Sequence, residues 1–285
     1  MNLPSESIVR ANGVDLCVGT FGDAGDPAIL LIMGSSASMD WWEDDFCERL
    51  AAGSRFVVRY DHRDTGRSVS HEAGAPAYTG RDLIEDAVGV LDALRLTSAH
   101  LVGMSMGGAI AQVVALDYPD RVASLTLIST SPSGGDPDLP EMSAETGAEF
   151  AAVASPDWSD RAAVIDYQLQ LARVCASRSS PFDEEELRRL AGRVLDRTSN
   201  VEASMTNHDF LKGADRWRER LRDLDVPTLV IHGTEDPVLP YGQALALARE
   251  IRGAELLPLE RTGHELPRRV WALVVPAILE HTRER

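Results

Sequence analysis

Three side chains that together could carry out nucleophilic catalysis occur in the order serine, acid, histidine: Ser105, Asp236 and His264. A serine hydroxyl is a poor nucleophile at neutral pH, so it needs a neutral imidazole that takes its proton. A carboxylate must in turn hold that imidazole in the right tautomer and stabilise it once it is charged. These residue types predict an acyl transfer through a covalent serine intermediate.

The serine lies in Gly103-Met104-Ser105-Met106-Gly107, which we call the elbow. An apolar run precedes it at residues 99–102, and an apolar stretch with helical character follows at residues 108–116. A sharp turn from strand to helix holds its central serine on a strained bend, with the hydroxyl exposed. Glycines two residues before and after the serine prevent collisions with the neighbouring strand and helix. The helix N-terminus would also bring free N–H groups to a developing oxyanion.

The acid and the base follow two later predicted strands. Asp236 comes just after the strand predicted over residues 227–233, and His264 comes just after the last one, over residues 255–259. Glu235 stands next to Asp236 and is the alternative acid, although we favour Asp236. His264 is the candidate base because a loop after a strand is where reactive side chains collect in such sheets.

The remaining histidines have simpler interpretations. His232 and His100 fall within predicted strands, and we expect them to be structural. Asp61 and His62 are expected to order their own glycine-containing loop. His208, in a predicted helical region, could face either a pocket or the solvent.

Alternating strands and helices must position these groups. Strands are predicted over residues 7–10, 14–18, 28–33, 56–60, 99–103, 122–129, 227–233 and 255–259, and helices over 81–94, 108–116, 241–252 and 268–280. This alternation predicts the α/β class, with a doubly wound and mostly parallel sheet. Ligands bind such sheets at the carboxyl ends of the strands.

The alternation is interrupted between two core strands. Residues 131–224 contain no convincing strand, and helices are predicted there over residues 157–176, entered through Pro156, and over residues 183–197. We therefore expect a helical cap at residues 131–224, and an α/β core made of residues 1–130 and 225–285.

Length, composition and net charge limit the class of protein to which the chain can belong. The chain has 285 residues, with 44% hydrophobic and 26% charged residues, as in ordinary soluble proteins. The net charge of −17 argues against nucleic acid and anionic membrane surfaces as partners. Three cysteines, Cys17, Cys47 and Cys175, are too far apart for a metal cluster and predict reduced thiols in a cytoplasmic protein. We expect no signal peptide and no membrane span, and the oligomeric state is left open.

Four short stretches make the chain resemble the α/β-hydrolase family along nearly its whole length. They are Met33-Gly34-Ser35, residues 61–68, the elbow, and Gly233 to Asp236 followed by Gly263-His264. The order serine, acid, histidine is also that of the family. The first two stretches, extended by Ile32 and Tyr60, are most similar to the bacterial anthracycline methyl esterases of the aclacinomycin type. Those enzymes act on methyl esters of bulky aromatic polyketides.

This resemblance implies further roles. The backbone N–H groups of Ser35 and Met106 would form the oxyanion hole, each contributing roughly 3–4 kcal/mol to transition-state stabilisation. Many family members carry His-Gly where this chain has Met33-Gly34, which removes a side-chain partner but leaves the backbone donor. No metal or organic cofactor is implied. Relatives with an aspartate nucleophile, such as dehalogenases and epoxide hydrolases, are disfavoured because the elbow carries a serine.

Aromatic and methionine side chains near the proposed site predict a broad apolar pocket, since paired tryptophans suit flat ligands and methionine adapts its shape. The predicted substrate contacts are Trp41, Trp42, Met39, Met104, Met205 and His208. The carboxylic ester of a bulky apolar or aromatic small molecule would be cleaved by acylation of Ser105 and then by a water activated by His264. Two alternatives stay open: hydrolysis of a C–C, lactone or amide bond by the same residues, and a hydrolase-like ligand sensor with slow turnover.

Overall fold

A computed structural model of the chain describes residues 5–133, 136–211 and 216–283. Within these residues, eight strands form one sheet in the order β1-β2-β4-β3-β5-β6-β7-β8. The strands are β1 (Ser5–Ala11), β2 (Val14–Phe21), β3 (Ala28–Ile32), β4 (Phe56–Tyr60), β5 (Ala99–Met104), β6 (Val122–Ile128), β7 (Thr228–Gly233) and β8 (Glu255–Leu259). β2 is antiparallel to both β1 and β4, and all pairings from β4 to β8 are parallel. The predicted fold class, a mostly parallel α/β sheet, is confirmed.

The central strands of the sheet have almost continuously apolar sequences, because helices cover both faces of the sheet. Every residue of β3, β4, β5 and β7 is buried. The helices are α1 (Asp44–Ala51), α2 (Gly80–Ala93), α3 (Met106–Asp117), α4 (Ala144–Ala152), α5 (Arg161–Cys175), α6 (Glu184–Arg197), α7 (Val201–Thr206), α8 (Gly242–Glu250) and α9 (Trp271–His281). One face of the sheet packs on α2, α3 and α8, and the other packs on α1 and α9.

One predicted helix start was wrong. The sequence pattern placed the start of α5 near Pro156, but the helix begins after Asp160, whose side chain accepts the N–H groups of Ala162 and Ala163. Asp157 instead accepts the N–H of Ser159 at 2.9 Å in a local turn. Because the Asp157 carboxylate is used in that turn, the helix is capped by Asp160 and begins at residue 161 instead of residue 157.

The described part of the chain between β6 and β7 contains helices, turns and loops but no strand. We call residues 136–211 and 216–223 the helical segment; it includes α4 to α7. The cap predicted over residues 131–224 also includes residues 134–135 and 212–215, which lie outside the described residues, as do residues 1–4 and 284–285 of the predicted core. No helix among the described residues has both the length and the apolar character needed to cross a bilayer.

Candidate active site

The elbow connects β5 to α3 through a strained serine. Ser105 has φ 53° and ψ −121°, a combination that a residue with a side chain rarely adopts. A Cβ on Gly103 would lie 2.2 Å from the carbonyl oxygen of Gly107, and a Cβ on Gly107 would lie 2.1 Å from that of Ile32. Backbone atoms cannot move aside as a side chain can. Both flanking positions therefore require glycine, as the sequence predicted.

Ser105, His264 and Asp236 form a continuous chain of hydrogen-bond contacts. The Ser105 hydroxyl is 3.0 Å from His264 Nε2, and His264 Nδ1 is 2.8 Å from Asp236 Oδ2. The carboxylate can only accept, so Nδ1 carries the proton and Nε2 is free to accept the serine proton. The three loops that follow β5, β7 and β8 thus bring together a hydroxyl, a carboxylate and an imidazole, which are the predicted nucleophile, acid and base.

The Asp236 carboxylate is buried but well supplied with donors. Its Oδ1 accepts the N–H groups of Val238 and Leu239 at 2.9 and 2.8 Å. Burial alone would raise its pKa, but the neighbouring His264 and His232 outweigh that effect and lower the pKa to about 2. The acid is therefore ionised at any pH at which the protein would be assayed.

His232 contributes to this site although the sequence suggested only a structural role. Its Nε2 donates to the carbonyl of Leu239 at 2.8 Å and lies 3.3 Å from Asp236 Oδ2. The only hint in the sequence was that His232 and Asp236 lie four residues apart at the end of one strand. This spacing is not sufficient for a prediction, because a strand pattern gives no information on how the chain turns after the strand.

The alternative acid, Glu235, does not contact the imidazole. Its carboxylate accepts the hydroxyl of Ser179 at 2.7 Å and that of Ser177. Both serines belong to the helical segment, just after α5. Of the two adjacent carboxylates, the geometry therefore favours Asp236 as the partner of His264.

The predicted oxyanion-hole residues flank the serine. Met106 is the first residue of α3, so its N–H has no acceptor four residues earlier within the helix. On the other side, a Cβ on Gly34 would lie 3.2 Å from the Cβ of Ser105 and 3.8 Å from its Oγ. The loop that carries Ser35 thus passes close to the Ser105 side chain, as the predicted oxyanion hole requires.

Two predicted substrate contacts receive no support, because their side chains are fully enclosed by protein. Trp42 is 1% exposed and stacks on Phe46, with ring centroids 5.6 Å apart. Met39 has no exposed surface. Both are part of the packing beneath the loops.

The other predicted contacts differ in how much surface they present. Met104 is 5% exposed and belongs to the core between the sheet, α1 and α9, so it too is mainly a packing residue. Trp41 packs on the same core but is only partly buried. Met205, also partly buried, receives the side-chain N–H of Gln168 on its sulfur at 3.5 Å. Trp41 and Met205 stay candidates for substrate contact.

One cavity, of about 290 Å³, contains none of the predicted substrate contacts. Every residue that lines it carries an ionisable side chain, so it does not suit an apolar substrate. Its lining residues are Glu6, Asp40, Asp44, Arg59, Arg193, Asp196 and Arg197.

His208 is buried and held by backbone groups, so the structure does not support its predicted contact with the substrate. Its Nδ1 accepts the N–H of Ser36 at 2.8 Å, and its Nε2 donates to the carbonyl of Arg63 at 3.0 Å. Both polar atoms of the ring are therefore used by the protein's own backbone.

Three other residues match their structural interpretations at least in part. His100 is buried, with Nδ1 2.8 Å from the hydroxyl of Ser124. Asp61 accepts the N–H of Arg67 within its own loop at 3.0 Å, as predicted. His62 instead donates through Nε2 to the carbonyl of Met33 at 2.9 Å, outside its own loop.

The helical segment contacts the histidine loop through its backbone. The N–H of His264 donates to the carbonyl of Cys175, the last residue of α5, at 2.7 Å. A Cβ on Gly263 would lie 2.4 Å from the same carbonyl oxygen. The close approach of these two backbones explains why a glycine precedes the histidine.

Comparisons with known proteins agree with this architecture. A sequence model of the α/β hydrolase fold family matches residues 27–267. The chain is 32% identical over 296 residues to rhodomycin D methylesterase DauP of Streptomyces sp. strain C5, covering 99% of both chains. It is 33% identical to rhodomycin D methylesterase DnrP of Streptomyces peucetius, covering 92% of this chain and 93% of that one. A solved meta-cleavage product hydrolase of Pseudomonas fluorescens IP01 superposes with a TM-score of 0.74 at 23% identity, covering 96% of each chain.

Proposed function

The chain belongs to the α/β-hydrolase fold family, and we propose that it is a serine hydrolase that cleaves the methyl ester of a bulky aromatic polyketide. The observation that carries the proposal is the unbroken hydrogen-bonded path from the Ser105 hydroxyl through His264 to Asp236. This is the arrangement that acyl transfer by a serine requires.

In the first half of the reaction, Ser105 Oγ attacks the ester carbonyl carbon while its proton passes to His264 Nε2. The carbonyl oxygen becomes an oxyanion, which the N–H groups of Ser35 and Met106 would bind. The tetrahedral intermediate collapses, and the C–O bond to the alcohol breaks as His264 returns the proton to the leaving oxygen. Methanol departs and the acyl group stays on the serine.

In the second half, water enters where the methanol left. His264 takes one proton from the water, whose oxygen attacks the acyl carbon. Collapse of the second intermediate breaks the bond to Ser105, which regains its proton from His264, and the carboxylic acid leaves. Asp236 stays ionised throughout, since its pKa of about 2 is far below the pH at which the enzyme would act. It therefore stabilises each imidazolium as it forms.

The nature of the substrate is inferred from the relatives. Two proteins named as methylesterases of rhodomycin D are each more than 30% identical to this chain over almost its full length. We place the reaction in the cytoplasm. The three cysteines are free and lie within the described residues, which suits a reducing compartment.

The test compares kcat/KM for methyl esters of multi-ring aromatic polyketides with that for p-nitrophenyl acetate. We expect the polyketide esters to be the better substrates, with methanol and a carboxylic acid as products. Chelators should leave the rate unchanged. Turnover of a vinylogous 1,5-diketone in place of any ester would contradict the proposal and favour the C–C hydrolase alternative.

Ser105→Ala is the control for the mechanism. Removal of one hydroxyl should leave the fold intact but lower kcat about 10³- to 10⁶-fold. A fluorophosphonate probe should label the wild type at Ser105 and leave the variant unlabelled. Hydrolysis by the variant at nearly the wild-type rate would reject the serine mechanism.

A further inference from the structure

Two buried histidines hold the backbone on either side of one peptide unit in the loop over Ser105. His62 Nε2 donates to the carbonyl of Met33 at 2.9 Å, which fixes the peptide before Gly34. His208 Nδ1 accepts the N–H of Ser36 at 2.8 Å, which fixes the peptide after Ser35. Between these two lies the Gly34–Ser35 peptide, whose N–H is the predicted oxyanion donor.

The two histidine rings also contact each other, with centroids 5.9 Å apart at an interplanar angle of 75°. His208 must be neutral for its hydrogen bonds to form. A backbone N–H can only donate, so His208 Nδ1 carries no proton and its single proton is on Nε2, which donates to the carbonyl of Arg63. Burial lowers the pKa of both imidazoles, that of His62 to about 3, so both stay uncharged near neutral pH.

His208 reaches this loop from far away in the chain. It lies in a short 3₁₀ turn after α7, 172 residues beyond Ser36. Ser36 itself has φ +58°, a strained value for a residue with a side chain. A buried acceptor for the Ser36 N–H stabilises this conformation, which would otherwise relax by rotating the adjacent peptides.

We propose that His208 is a positioning residue for the reaction: by accepting the Ser36 N–H, it orients the neighbouring Ser35 N–H toward the oxyanion. The helical segment thereby contributes to transition-state stabilisation without contacting the substrate. This inference rests on the proposed function, because it assigns the oxyanion to the Ser35 N–H.

Two conservative variants separate the two hydrogen bonds of His208. In His208→Asn, the side-chain oxygen can take the place of Nδ1 and accept the Ser36 N–H, while the bond to Arg63 is lost. In His208→Gln, the amide N–H can take the place of Nε2 and donate to Arg63, while the Ser36 N–H loses its acceptor. Each variant loses one buried bond to the backbone, so their stabilities should fall by similar amounts.

We expect kcat to separate these variants. His208→Asn should keep kcat within about threefold of the wild type, whereas His208→Gln should lose about 100-fold, the cost of a misplaced oxyanion donor. KM should stay within about threefold for both variants, because the donor acts in the transition state. His100→Asn is the matched control, since His100 is a similarly buried histidine at the other end of β5, and it should leave kcat unchanged.

Equal losses of kcat in the two His208 variants, or full kcat in His208→Gln, would overturn the inference and leave His208 a packing residue. A wild type without ester turnover would instead overturn the proposed function, and the same variants would then be compared by their rates of labelling with the fluorophosphonate probe.

A measurement on the wild type alone covers the case in which the variants do not fold. If the Ser36 N–H donates to His208 Nδ1, the NMR spectrum of nitrogen-15-labelled protein should show a scalar coupling between these two nitrogen atoms across the hydrogen bond. Absence of this coupling, with both signals observed, would reject the hydrogen bond and the inference with it.

Discussion

Glu235 and Asp236 are neighbours in the chain, but their carboxylates contact different parts of the molecule. Asp236 lies 2.8 Å from the imidazole of His264, whereas Glu235 accepts hydroxyl groups of the helical segment, including that of Ser179 at 2.7 Å. One carboxylate holds the imidazole of the proposed base, and the other joins the core to the helical segment.

This difference predicts opposite effects for two isosteric substitutions. Asp236→Asn should lower kcat about 10⁴-fold, because the amide favours the wrong imidazole tautomer. Glu235→Gln should keep kcat within a few-fold, since its exposed carboxylate accepts the hydroxyls of Ser177 and Ser179 and not the imidazole. Steady-state kinetics on one ester substrate measure both effects. The reverse ranking would reassign the acid to Glu235.

The elbow glycines predict a steric effect on stability. Gly107→Ala places a Cβ against the backbone of Ile32 and should destabilise the fold by about 1–3 kcal/mol while impairing turnover. Gly147→Ala, inside α4, is the control because its nearest neighbour is 3.8 Å away. That variant should gain about 0.5–1 kcal/mol in stability. Urea unfolding of both variants is the measurement, and wild-type stability in Gly107→Ala would refute the close approach.

Buried histidine should make stability depend on pH. Burial, and then the charges of Arg55 and His281, lower the pKa of His100 to about 4 in the folded protein, against a reference value of about 6.5 in the unfolded chain. Between these values the unfolded state binds a proton that the folded state does not. His100 therefore does not lower the free energy of unfolding above about pH 6.5. On acidification from there toward pH 4, it lowers the free energy of unfolding by up to about 1.4 kcal/mol per pH unit.

His100→Asn removes this titrating group. The free energy of unfolding should then depend less steeply on pH, by a slope equivalent to at most one bound proton. Urea unfolding at pH 5, 6, 7 and 8 gives the slope for each protein. Identical slopes in the wild type and the variant would show that His100 does not titrate in this way.

The helical segment should govern which substrates are accepted, because it lies between β6 and β7 and contacts the histidine loop. Met205→Ala should therefore change the ratio of kcat/KM for a bulky aromatic methyl ester to that for p-nitrophenyl acetate. Trp41→Ala, in the loop after β3, provides the comparison. If Met205→Ala leaves the ratio unchanged and Trp41→Ala shifts it, selectivity resides in the loops of the core and the cap hypothesis is wrong.

The parts of the molecule that depend on local patterns could be predicted from the sequence. Apolar runs such as residues 28–32 identified the buried strands, because a strand covered on both faces has no polar side. The glycines of the elbow identified the turn, since their backbones approach others too closely for a Cβ. The fold class follows from these elements and their order.

The contacts of individual side chains could not be predicted in the same way. The bond between His208 and Ser36 joins residues 172 positions apart, and no local pattern records it. Trp42 and Trp41 are equally apolar in sequence, yet one is fully enclosed and the other partly exposed, because Trp41 ends a short 3₁₀ turn and Trp42 follows it in a different direction. Burial at a loop is decided by tertiary packing.

The hydrogen bond between the His264 N–H and the carbonyl of Cys175 constrains how this scaffold can be recombined. A helical segment transplanted from another protein must bring a carbonyl to the same place and approach Gly263 just as closely, because a Cβ on Gly263 would lie 2.4 Å from the present carbonyl oxygen. We expect chimaeras whose crossover points leave residues 175–180 native to retain the histidine loop. A crossover within that stretch would exchange specificity and catalytic geometry together.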